Sequence, residues 1–292
     1  MVRSGQTVHT LVDIFHKVRF NELMKKLIAL LTLLPMISFA SICIEQTNDE
    51  GEVTWLHCPN KTTVLLEGDR AEREMLWQVP NGRTPRKGWP AVILSQGSWF
   101  PIEFSRPRNL PLGGFYEAKL IQKLLDNGYA VFAPRAPIDV AWMTNLPHGD
   151  YKKTDDFAVL SELVQILQND KLAKINSDRI YAAGISSGGY NSSRLAITFP
   201  GVFKAIAIQS ASYASCIGPV CKVPDTLEAN HPPTLFVHGK RDFVVPLSTA
   251  RKYHEKLQDL GVKSLLVIDP TLGHGWSRLS PLAITRWFDL FY

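Results

Sequence analysis

Short apolar runs alternate with amphipathic segments along most of the chain. The runs "PAVILSQG", "YAVFAPRAP", "RIYAAG", "KAIAIQS", "PTLFVHG" and "SLLVID" have the length and composition of buried strands. Between them, segments such as "GFYEAKLIQKLLDNG" and "LSTARKYHEKLQDLG" have apolar residues at helical spacing. Strands that alternate with helices form a mostly parallel sheet with helices on both faces. The pattern therefore predicts an α/β fold.

The stretch "GISSGG" lies between a predicted strand, "RIYAAG", and a predicted helix, "SRLAITF". Gly-x-Ser-x-Gly in this context is typical of a nucleophile elbow, a sharp turn that presents a serine hydroxyl at the sheet edge. The residues two before and two after that serine nearly touch, so both should lack a side chain. Ser186 has Gly184 and Gly188 at these positions, whereas Ser187 has Ile185. We therefore predict that Ser186 is the nucleophile.

A serine nucleophile needs a base to take its proton and an acid to hold that base. In elbow enzymes the acid and then the histidine follow the serine along the chain. Asp242 comes just after the strand "TLFVHG", and His274 lies in the loop "TLGHGWSR" before the last helix. We predict these two as acid and base, with Asp269 as the rival acid. Other histidines after the serine are expected to be packed or surface residues: His231, His238 and His254.

Acyl transfer also requires N–H donors for the oxyanion, and aromatic residues can receive apolar parts of the substrate. The backbone N–H of Ser187 is one expected donor, because it lies at a helix start. The second is expected from Ser98 or Trp99 in "QGSWFP", and the sequence leaves that choice open. The predicted substrate-binding aromatics are Trp99, Phe100, Tyr190 and Trp276. This chemistry needs no cofactor and no metal.

The segment from Met24, "MKKLIALLTLLPMISFASIC", has two lysines, an apolar run and small residues at the end. This is typical of a signal peptide, here residues 24–40. Residues 1–23 do not fit such a leader, so we expect an upstream extension that precedes the true start at Met24. Residues 41–292 are expected to form a single catalytic domain. The alternative is an uncleaved membrane anchor, although the apolar run is shorter than the roughly 20 residues of a membrane span.

The cysteines and the charge agree with export. All four cysteines follow the predicted cleavage point, and an even number in an exported protein favours disulfides. Three pairings are possible, of which the simplest joins Cys43 to Cys58 and Cys216 to Cys221. The spacing of "CIGPVC" is not typical of a metal site. Five of the 32 Lys and Arg and two of the 27 Asp and Glu lie in residues 1–40, so the rest is nearly neutral. That balance does not indicate nucleic-acid binding.

Four stretches carry a resemblance to a known family: "YAAGISSGGYNSSRLAI", "SYASCIGPVC", "HPPTLFVHGKRDFVVP" and "LGHGW". Together they resemble the extracellular medium-chain-length polyhydroxyalkanoate depolymerases, which are serine esterases of the α/β-hydrolase fold. The resemblance implies a secreted enzyme, extracellular or periplasmic, that cuts ester bonds of bacterial storage polyesters. It also implies Ser186, Asp242 and His274 as nucleophile, acid and base. The expected partner is a polyester or another ester, with no stable membrane insertion after cleavage.

The connection from residue 211 to residue 233 bears on the choice of substrate. It is short, contains prolines and carries Cys216 and Cys221, so we expect no large lid over the site. An open cleft suits a polymer chain held in its middle. Three other functions stay open at this point. They are a secreted feruloyl, acetyl-xylan or lipase-like esterase on smaller esters, a serine peptidase of the prolyl-oligopeptidase type, and an inactive hydrolase-fold binding protein.

Overall fold

Eleven strands and five helices form the regular structure of residues 42–145, 149–227 and 230–292, which the computed structural model describes. The strands are β1 Ile44–Thr47, β2 Val53–His57, β3 Thr62–Leu66, β4 Arg73–Gln78, β5 Trp89–Ser95, β6 Ser105–Pro107, β7 Ala130–Pro134, β8 Ile175–Ile185, β9 Phe203–Gln209, β10 Thr234–Gly239 and β11 Ser264–Asp269. The helices are α1 Gly114–Asp126, α2 Asp155–Gln168, α3 Ser187–Thr198, α4 Leu247–Asp259 and α5 Ser280–Leu290. The predicted extension (1–23) and signal peptide (24–40) lie outside the described residues.

The central sheet has eight strands in the order β11-β10-β9-β8-β5-β7-β4-β3. The strands from β11 to β7 pair in parallel, while β4 and β3 add antiparallel pairs at one edge. This is the mostly parallel sheet that the alternating sequence pattern predicts. Loops at the carboxyl ends of parallel strands meet at one edge of such a sheet, which is where ligands bind in open α/β folds.

Helices cover the sheet on both faces and define two hydrophobic cores. One core contains apolar residues of α2, α3 and α4, and the other contains those of α1 and α5. β5 is buried along its whole length, with Ile93 in the first core and Val92 and Leu94 in the second. Neighbouring residues of a strand point to opposite faces, so a strand that is covered on both sides is apolar throughout.

A second, three-stranded antiparallel sheet, in the order β1-β2-β6, lies at the start of the described chain. The disulfide between Cys43 and Cys58 joins the two ends of the β1–β2 hairpin. The Cys58 N–H donates to the carbonyl of Phe104 at 2.7 Å, just before β6. The hairpin is therefore fixed covalently to itself and by hydrogen bonds to β6.

The second disulfide joins Cys216 to Cys221 within the connection that follows β9. Both disulfides are nearest-neighbour pairs. In the described part of this connection, residues 211–227 and 230–233, the chain forms turns and an isolated bridge between Ile217 and Val220, without a helix. An ideal Cβ at Gly218 would lie 3.1 Å from the carbonyl oxygen of Val244, so the disulfide loop packs against the loop after β10.

Candidate active site

Ser186 occupies a strained turn between β8 and α3. Its φ of 52° and ψ of −120° are in a region that a residue with a side chain rarely adopts. Its N–H donates to the carbonyl of Gln209 at 2.9 Å, and its carbonyl accepts from the N–H of Tyr190 at 3.0 Å. Hydrogen bonds to β9 and to the first turn of α3 thus hold the serine in this conformation, as in a nucleophile elbow.

Close backbone contacts surround the turn and explain its glycines. An ideal Cβ at Gly184 would lie 2.3 Å from the carbonyl oxygen of Gly188. A Cβ at Gly188 would lie 2.1 Å from the carbonyl oxygen of Ser95, at the end of β5. Both distances are far below van der Waals contact, so only glycine fits at either position. These are the residues two before and two after Ser186.

The hydroxyls of the two adjacent serines have different surroundings. Oγ of Ser186 lies 2.9 Å from Nε2 of His274. Oγ of Ser187 accepts a hydrogen bond from the N–H of Trp142 at 3.0 Å, and this serine is buried. Among the described residues the first hydroxyl contacts a histidine, whereas the second ties the loop of Trp142 to the start of α3.

His274 and Asp242 complete a chain of hydrogen bonds with the serine. Nδ1 of His274 lies 2.9 Å from Oδ2 of Asp242, which leaves Nε2 facing Ser186. Oδ1 of Asp242 accepts from the N–H groups of Val244 and Val245 at 3.0 and 2.8 Å. With the carboxylate held from both sides, the imidazole has a fixed orientation and can accept the serine proton.

A tight contact between two loops brings this acid and this base together. Gly239 ends β10, and an ideal Cβ there would lie 2.2 Å from the carbonyl oxygen of Gly273. The loop after β10 carries Asp242 and the loop after β11 carries His274. The glycine allows the two loops to touch, so that residues far apart in sequence meet at the carboxyl edge of the sheet.

Asp269, the rival acid, has a different set of contacts. Its Oδ1 accepts from N and Oγ1 of Thr271 and from N of Leu272, and its Oδ2 accepts from Oγ of Ser277 at 2.7 Å. Burial opposes ionisation, but the hydrogen bonds from Ser277 and Thr271 outweigh it and hold the pKa of Asp269 below its usual value. Asp269 therefore shapes the loop that carries His274 and does not contact its ring.

The three other candidate histidines are engaged elsewhere. His231 bonds the hydroxyl of Tyr253 at 2.7 Å, and His254 bonds Oγ of Ser264 at 2.8 Å. Nε2 of His238 bonds the carbonyl of Val245 at 2.8 Å and lies 3.5 Å from Oδ2 of Asp242. Burial lowers the pKa of all three histidines, which favours the neutral ring.

The structure separates the two candidates for the second oxyanion donor. The N–H of Trp99 donates to the carbonyl of Val140 at 2.9 Å, so it is not directed at a substrate. The prediction of Trp99 as an oxyanion donor is therefore wrong. The N–H of Ser98 has no acceptor among the described residues. The preceding Gly97 lies against the elbow, since its ideal Cβ would be 3.8 Å from Cβ of Ser186. Ser98 and Ser187 are therefore the remaining candidates for the oxyanion donors.

A cavity of about 290 Å³ opens beside the serine. Ser186 and His274 form part of its wall, and most of the rest is apolar, including Trp99, Phe100, Leu112 and Trp276. Trp99 is 72% exposed at the mouth, whereas Trp276 is buried in the wall. This size is close to the lower limit for small-molecule sites. Three of the four predicted aromatics thus line the cavity.

Tyr190, the fourth, does not line the cavity. It is buried in the core that contains α2, α3 and α4, together with Ala211 and Tyr213. Burial raises its pKa. The prediction of a substrate contact rested on its closeness to Ser186 in sequence, but one turn into α3 its side chain is buried in this core.

Two charged residues in the cavity wall were not predicted. Glu117 lies in the first turn of α1 and Arg106 lies in β6, and both line the cavity. Burial raises the pKa of Glu117 to about 7, although the nearby positive charge of Arg106 opposes this. A signal was present in the sequence, because Glu117 precedes Leu120, Ile121 and Leu124 at helical spacing and so falls within an apolar stripe.

Among the described residues, no group of three or more His, Cys, Asp or Glu side chains could hold a metal ion. No helix in this part of the chain is long and apolar enough to cross a bilayer.

Comparison with known proteins supports the fold and the class. The model of the prolyl oligopeptidase family matches residues 213–289, the segment with Asp242 and His274. An acylaminoacyl peptidase of Pyrococcus horikoshii has a TM-score of 0.54 at 17% identity, with 83% of this chain and 42% of that chain covered. S-formylglutathione hydrolase of Staphylococcus aureus has a TM-score of 0.57 at 14% identity, with 79% and 98% covered. This chain therefore spans about two fifths of the peptidase and nearly all of the hydrolase.

The fold and the site define the class as a serine esterase of the α/β-hydrolase fold. A poly(3-hydroxyoctanoate) depolymerase of Pseudomonas fluorescens is 44% identical over 253 residues, which are 86% of this chain and 91% of that protein. The chain belongs to the family of this depolymerase and is a carboxylic ester hydrolase.

Proposed function

We propose that the protein is a secreted serine esterase that hydrolyses medium-chain-length polyhydroxyalkanoate, with Ser186 as nucleophile, His274 as base and Asp242 as acid. The observation that carries the proposal is the chain of 2.9 Å hydrogen bonds from Oγ of Ser186 through His274 to Asp242, beside an apolar cavity. The 44% identical poly(3-hydroxyoctanoate) depolymerase supports the choice of polymer.

The reaction has two steps. Oγ of Ser186 attacks the ester carbonyl while its proton moves to Nε2 of His274, and Asp242 stabilises the imidazolium. The N–H groups of Ser187 and Ser98 donate to the oxyanion. The bond to the alcohol oxygen breaks and His274 gives its proton to that oxygen, which leaves an acyl-enzyme. Water then adds to the acyl-enzyme in the same way, which releases the acid and restores Ser186.

Three large apolar residues, two in the cavity wall and one in the loop that bonds the N–H of Trp99, have left-handed backbone conformations, which supports an insoluble substrate. They are Trp99, Leu112 and Ile138, with φ values of 61°, 56° and 47°. All three are exposed, Ile138 to 91%. This region of φ is unfavourable for a residue with a side chain, and most unfavourable for a β-branched one. Such strain persists where the position of a side chain is used.

Two further exposed residues, Phe243 and Val244, follow Asp242 directly. We call Trp99, Leu112, Ile138, Phe243 and Val244 the apolar rim. The rim includes three residues of the cavity wall. Apolar groups that are concentrated around an active site indicate a large apolar partner. A solid polyester with alkyl side chains is such a partner.

Export is part of the proposal. We propose that residues 24–40 are a signal peptide, that residues 1–23 precede the true start and that residues 41–292 are the mature catalytic domain. The two disulfides support an oxidising destination, outside the cell or in the periplasm.

Clearing of an opaque poly(3-hydroxyoctanoate) latex by residues 41–292 is the direct test. We expect the wild type to clear the latex and to hydrolyse p-nitrophenyl octanoate, and Ser186→Ala to lose at least about 10⁴-fold of either activity. The matched control is Ser187→Ala, which keeps its backbone N–H but removes the acceptor for Trp142. It should remain active while losing about 1–3 kcal/mol of stability.

Two results would contradict the proposal. Activity that survives Ser186→Ala and disappears in Ser187→Ala would mean that the nucleophile is wrong. Turnover of p-nitrophenyl octanoate without clearing of the latex would favour an esterase on smaller soluble esters. The assignment of Ser186 would stand in that second case.

A further inference from the structure

A buried ion pair interrupts the apolar wall of the active-site cavity. Among the described residues that line it, Glu117 and Arg106 are the only carboxylate and guanidinium. Glu117 is 3% exposed, and its Oε1 lies 3.5 Å from Nη2 of Arg106. Two charged groups that are removed from water lower the free energy only where their hydrogen bonds are satisfied. A pair in this position therefore calls for an explanation.

Each member of the pair has structural partners. Oε2 of Glu117 accepts from Nε1 of Trp276 at 3.1 Å, and the carboxyl group also accepts from the backbone N–H of Glu103. Arg106 donates through Nη2 to the carbonyl of Pro101. Two other polar atoms of the pair lack such partners. Oε1 of Glu117 and Nε of Arg106 are buried and make no hydrogen bond within the described residues. Buried polar atoms almost always have partners, so two such atoms beside one cavity indicate a ligand group.

The chemistry of these two atoms selects the ligand group. Oε1 of the carboxylate is an acceptor, and Nε–H of the guanidinium is a donor. A hydroxyl can donate to the first and accept from the second, whereas an ester carbonyl can only accept and an alkyl group can do neither. A linear polyester of hydroxy acids has one free hydroxyl, at one end of the chain.

We infer that Glu117 and Arg106 bind the free hydroxyl end of the polyester chain, while its alkyl groups occupy the apolar part of the cavity. The inference rests on the proposed function, because it assigns an orientation to that substrate. Since the pair and Ser186 line the same cavity, a chain held by its hydroxyl end is cut at a fixed distance from that end. The enzyme is then an exo-acting hydrolase that releases hydroxy acids of one length.

The pKa of Glu117 is compatible with this role. Burial raises it to about 7, so the carboxyl group changes its protonation state near neutral pH. Above this pKa a hydroxyl can donate to the carboxylate, and below it the hydroxyl can accept from the protonated acid. Binding of a hydroxyl therefore persists on both sides of that pKa.

The test uses the methyl ester of a 3-hydroxyoctanoate tetramer in three forms. The first has a free terminal hydroxyl, the second has a methyl ether and the third has hydrogen in place of that oxygen. We expect kcat/KM for the free hydroxyl to exceed the other two by about tenfold or more, because the lost bonds involve charged groups. The products should have a single length counted from the hydroxyl end.

Variants separate hydroxyl binding from support of Trp276. Glu117→Met and the double variant Glu117→Met with Arg106→Met should reduce the preference to about threefold or less. The double variant leaves no buried charge unpaired, so it covers the case in which the single variant fails to fold. Trp276→Phe removes only the donor to Oε2 of Glu117, so it should change all three rates by the same factor and keep the preference.

Three results would overturn the inference. They are equal rates for the three forms, products cut at random positions, or a Trp276→Phe variant that loses the preference as the Glu117 variants do. The last result would show that Glu117 acts through the position of Trp276. Failure of the proposed function looks different, because the wild type would then not clear the latex at all.

Discussion

At the scale of single residues, the surroundings of the two serines decide their roles. Gly184 and Gly188 leave no room for a Cβ, and the turn they allow directs the hydroxyl of Ser186 towards His274. Ser187 has the same hydroxyl, but it is bonded to the N–H of Trp142. Reactivity in this site therefore depends on backbone geometry as much as on side-chain type.

Glu117 gives a prediction about stability and pH. Its pKa is about 7 in the folded protein against an ordinary value of 4.5, with burial as the main cause. Between these values the folded state holds a proton that the unfolded state has released, so the free energy of unfolding falls as pH rises from about 4.5 to 7. The full shift corresponds to a loss on the order of 3 kcal/mol.

Urea unfolding of the wild type and of Glu117→Gln at pH 5 and pH 8 measures this loss. The amide does not titrate, so the wild type should lose on the order of 3 kcal/mol relative to the variant between these pH values. If the two proteins lose the same amount, Glu117 titrates normally in the folded state.

The sequence predicted the residues that depend on spacing and order. The hydrogen-bonded set of Ser186, Asp242 and His274 could be selected from the sequence because each follows a strand and because the order of acid and base is fixed in this type of turn. Tyr190 was misplaced because sequence proximity does not give the direction of a side chain on α3. Glu117 was missed because the meaning of an acid in an apolar stripe depends on Arg106, which lies in a strand of three residues.

At the scale of elements, a buried ion pair joins β4 to the start of α2. Arg73 begins β4 and is buried. Its Nη1 lies 2.5 Å from Oδ1 of Asp156, and its Nη2 lies 2.6 Å from Oδ2 of Asp155. Oδ2 of Asp156 also accepts from the N–H of Met143 at 2.5 Å. One arginine thus connects the antiparallel side of the sheet with a helix and with the loop before it.

Replacement of this arginine should be costly. Burial raises the pKa of Asp156 even with Arg73 beside it, so Arg73→Met leaves a buried carboxylate without its counterion. We expect a loss of about 3–5 kcal/mol at neutral pH and a smaller loss at pH 5, where Asp156 can take up a proton. Denaturant unfolding at both pH values provides the measurement.

The matched control is Arg108→Met, which removes an exposed pair whose Arg108 Nη1 and Glu52 Oε2 atoms are 3.5 Å apart. Exposed pairs contribute about 0–1 kcal/mol. Equal losses in the two variants would show that the buried pair contributes no more than the surface pair.

Strands of the central sheet were predictable because burial on both faces makes them apolar throughout. The small sheet was not, for a related reason. All four residues of β1 are exposed, and β6 has only three residues, so neither has an apolar pattern that a sequence could reveal. These strands are held by the Cys43–Cys58 disulfide and by pairing with each other.

At the scale of the whole molecule, the two disulfides serve different regions. Cys43 and Cys58 are 15 residues apart and close the hairpin of the small sheet. Cys216 and Cys221 are five residues apart, and their loop packs against Val244, a residue of the cavity wall and the apolar rim. The second crosslink therefore lies in direct contact with the site, whereas the first acts on it through the pairing of β2 with β6.

Paired serine substitutions should separate these effects. Loss of the first disulfide should lower stability by about 3 kcal/mol and loss of the second by about 2 kcal/mol, in line with the lengths of the loops they close. Clearing of the latex should fall more in the second variant, because the Cys216–Cys221 loop packs directly against Val244. The measurements are thermal unfolding and turbidity. Equal clearing by both variants would contradict a supporting role for the Cys216–Cys221 loop.

The left-handed conformations of Trp99, Leu112 and Ile138 have a consequence for evolution of the enzyme. Glycine adopts such conformations without strain, so selection for heat resistance alone would favour glycine at these positions. Each such replacement would also remove a large apolar group from the rim. A laboratory screen on a soluble ester, or natural selection for thermal stability alone, would therefore favour a more stable enzyme that adsorbs less well to an insoluble substrate.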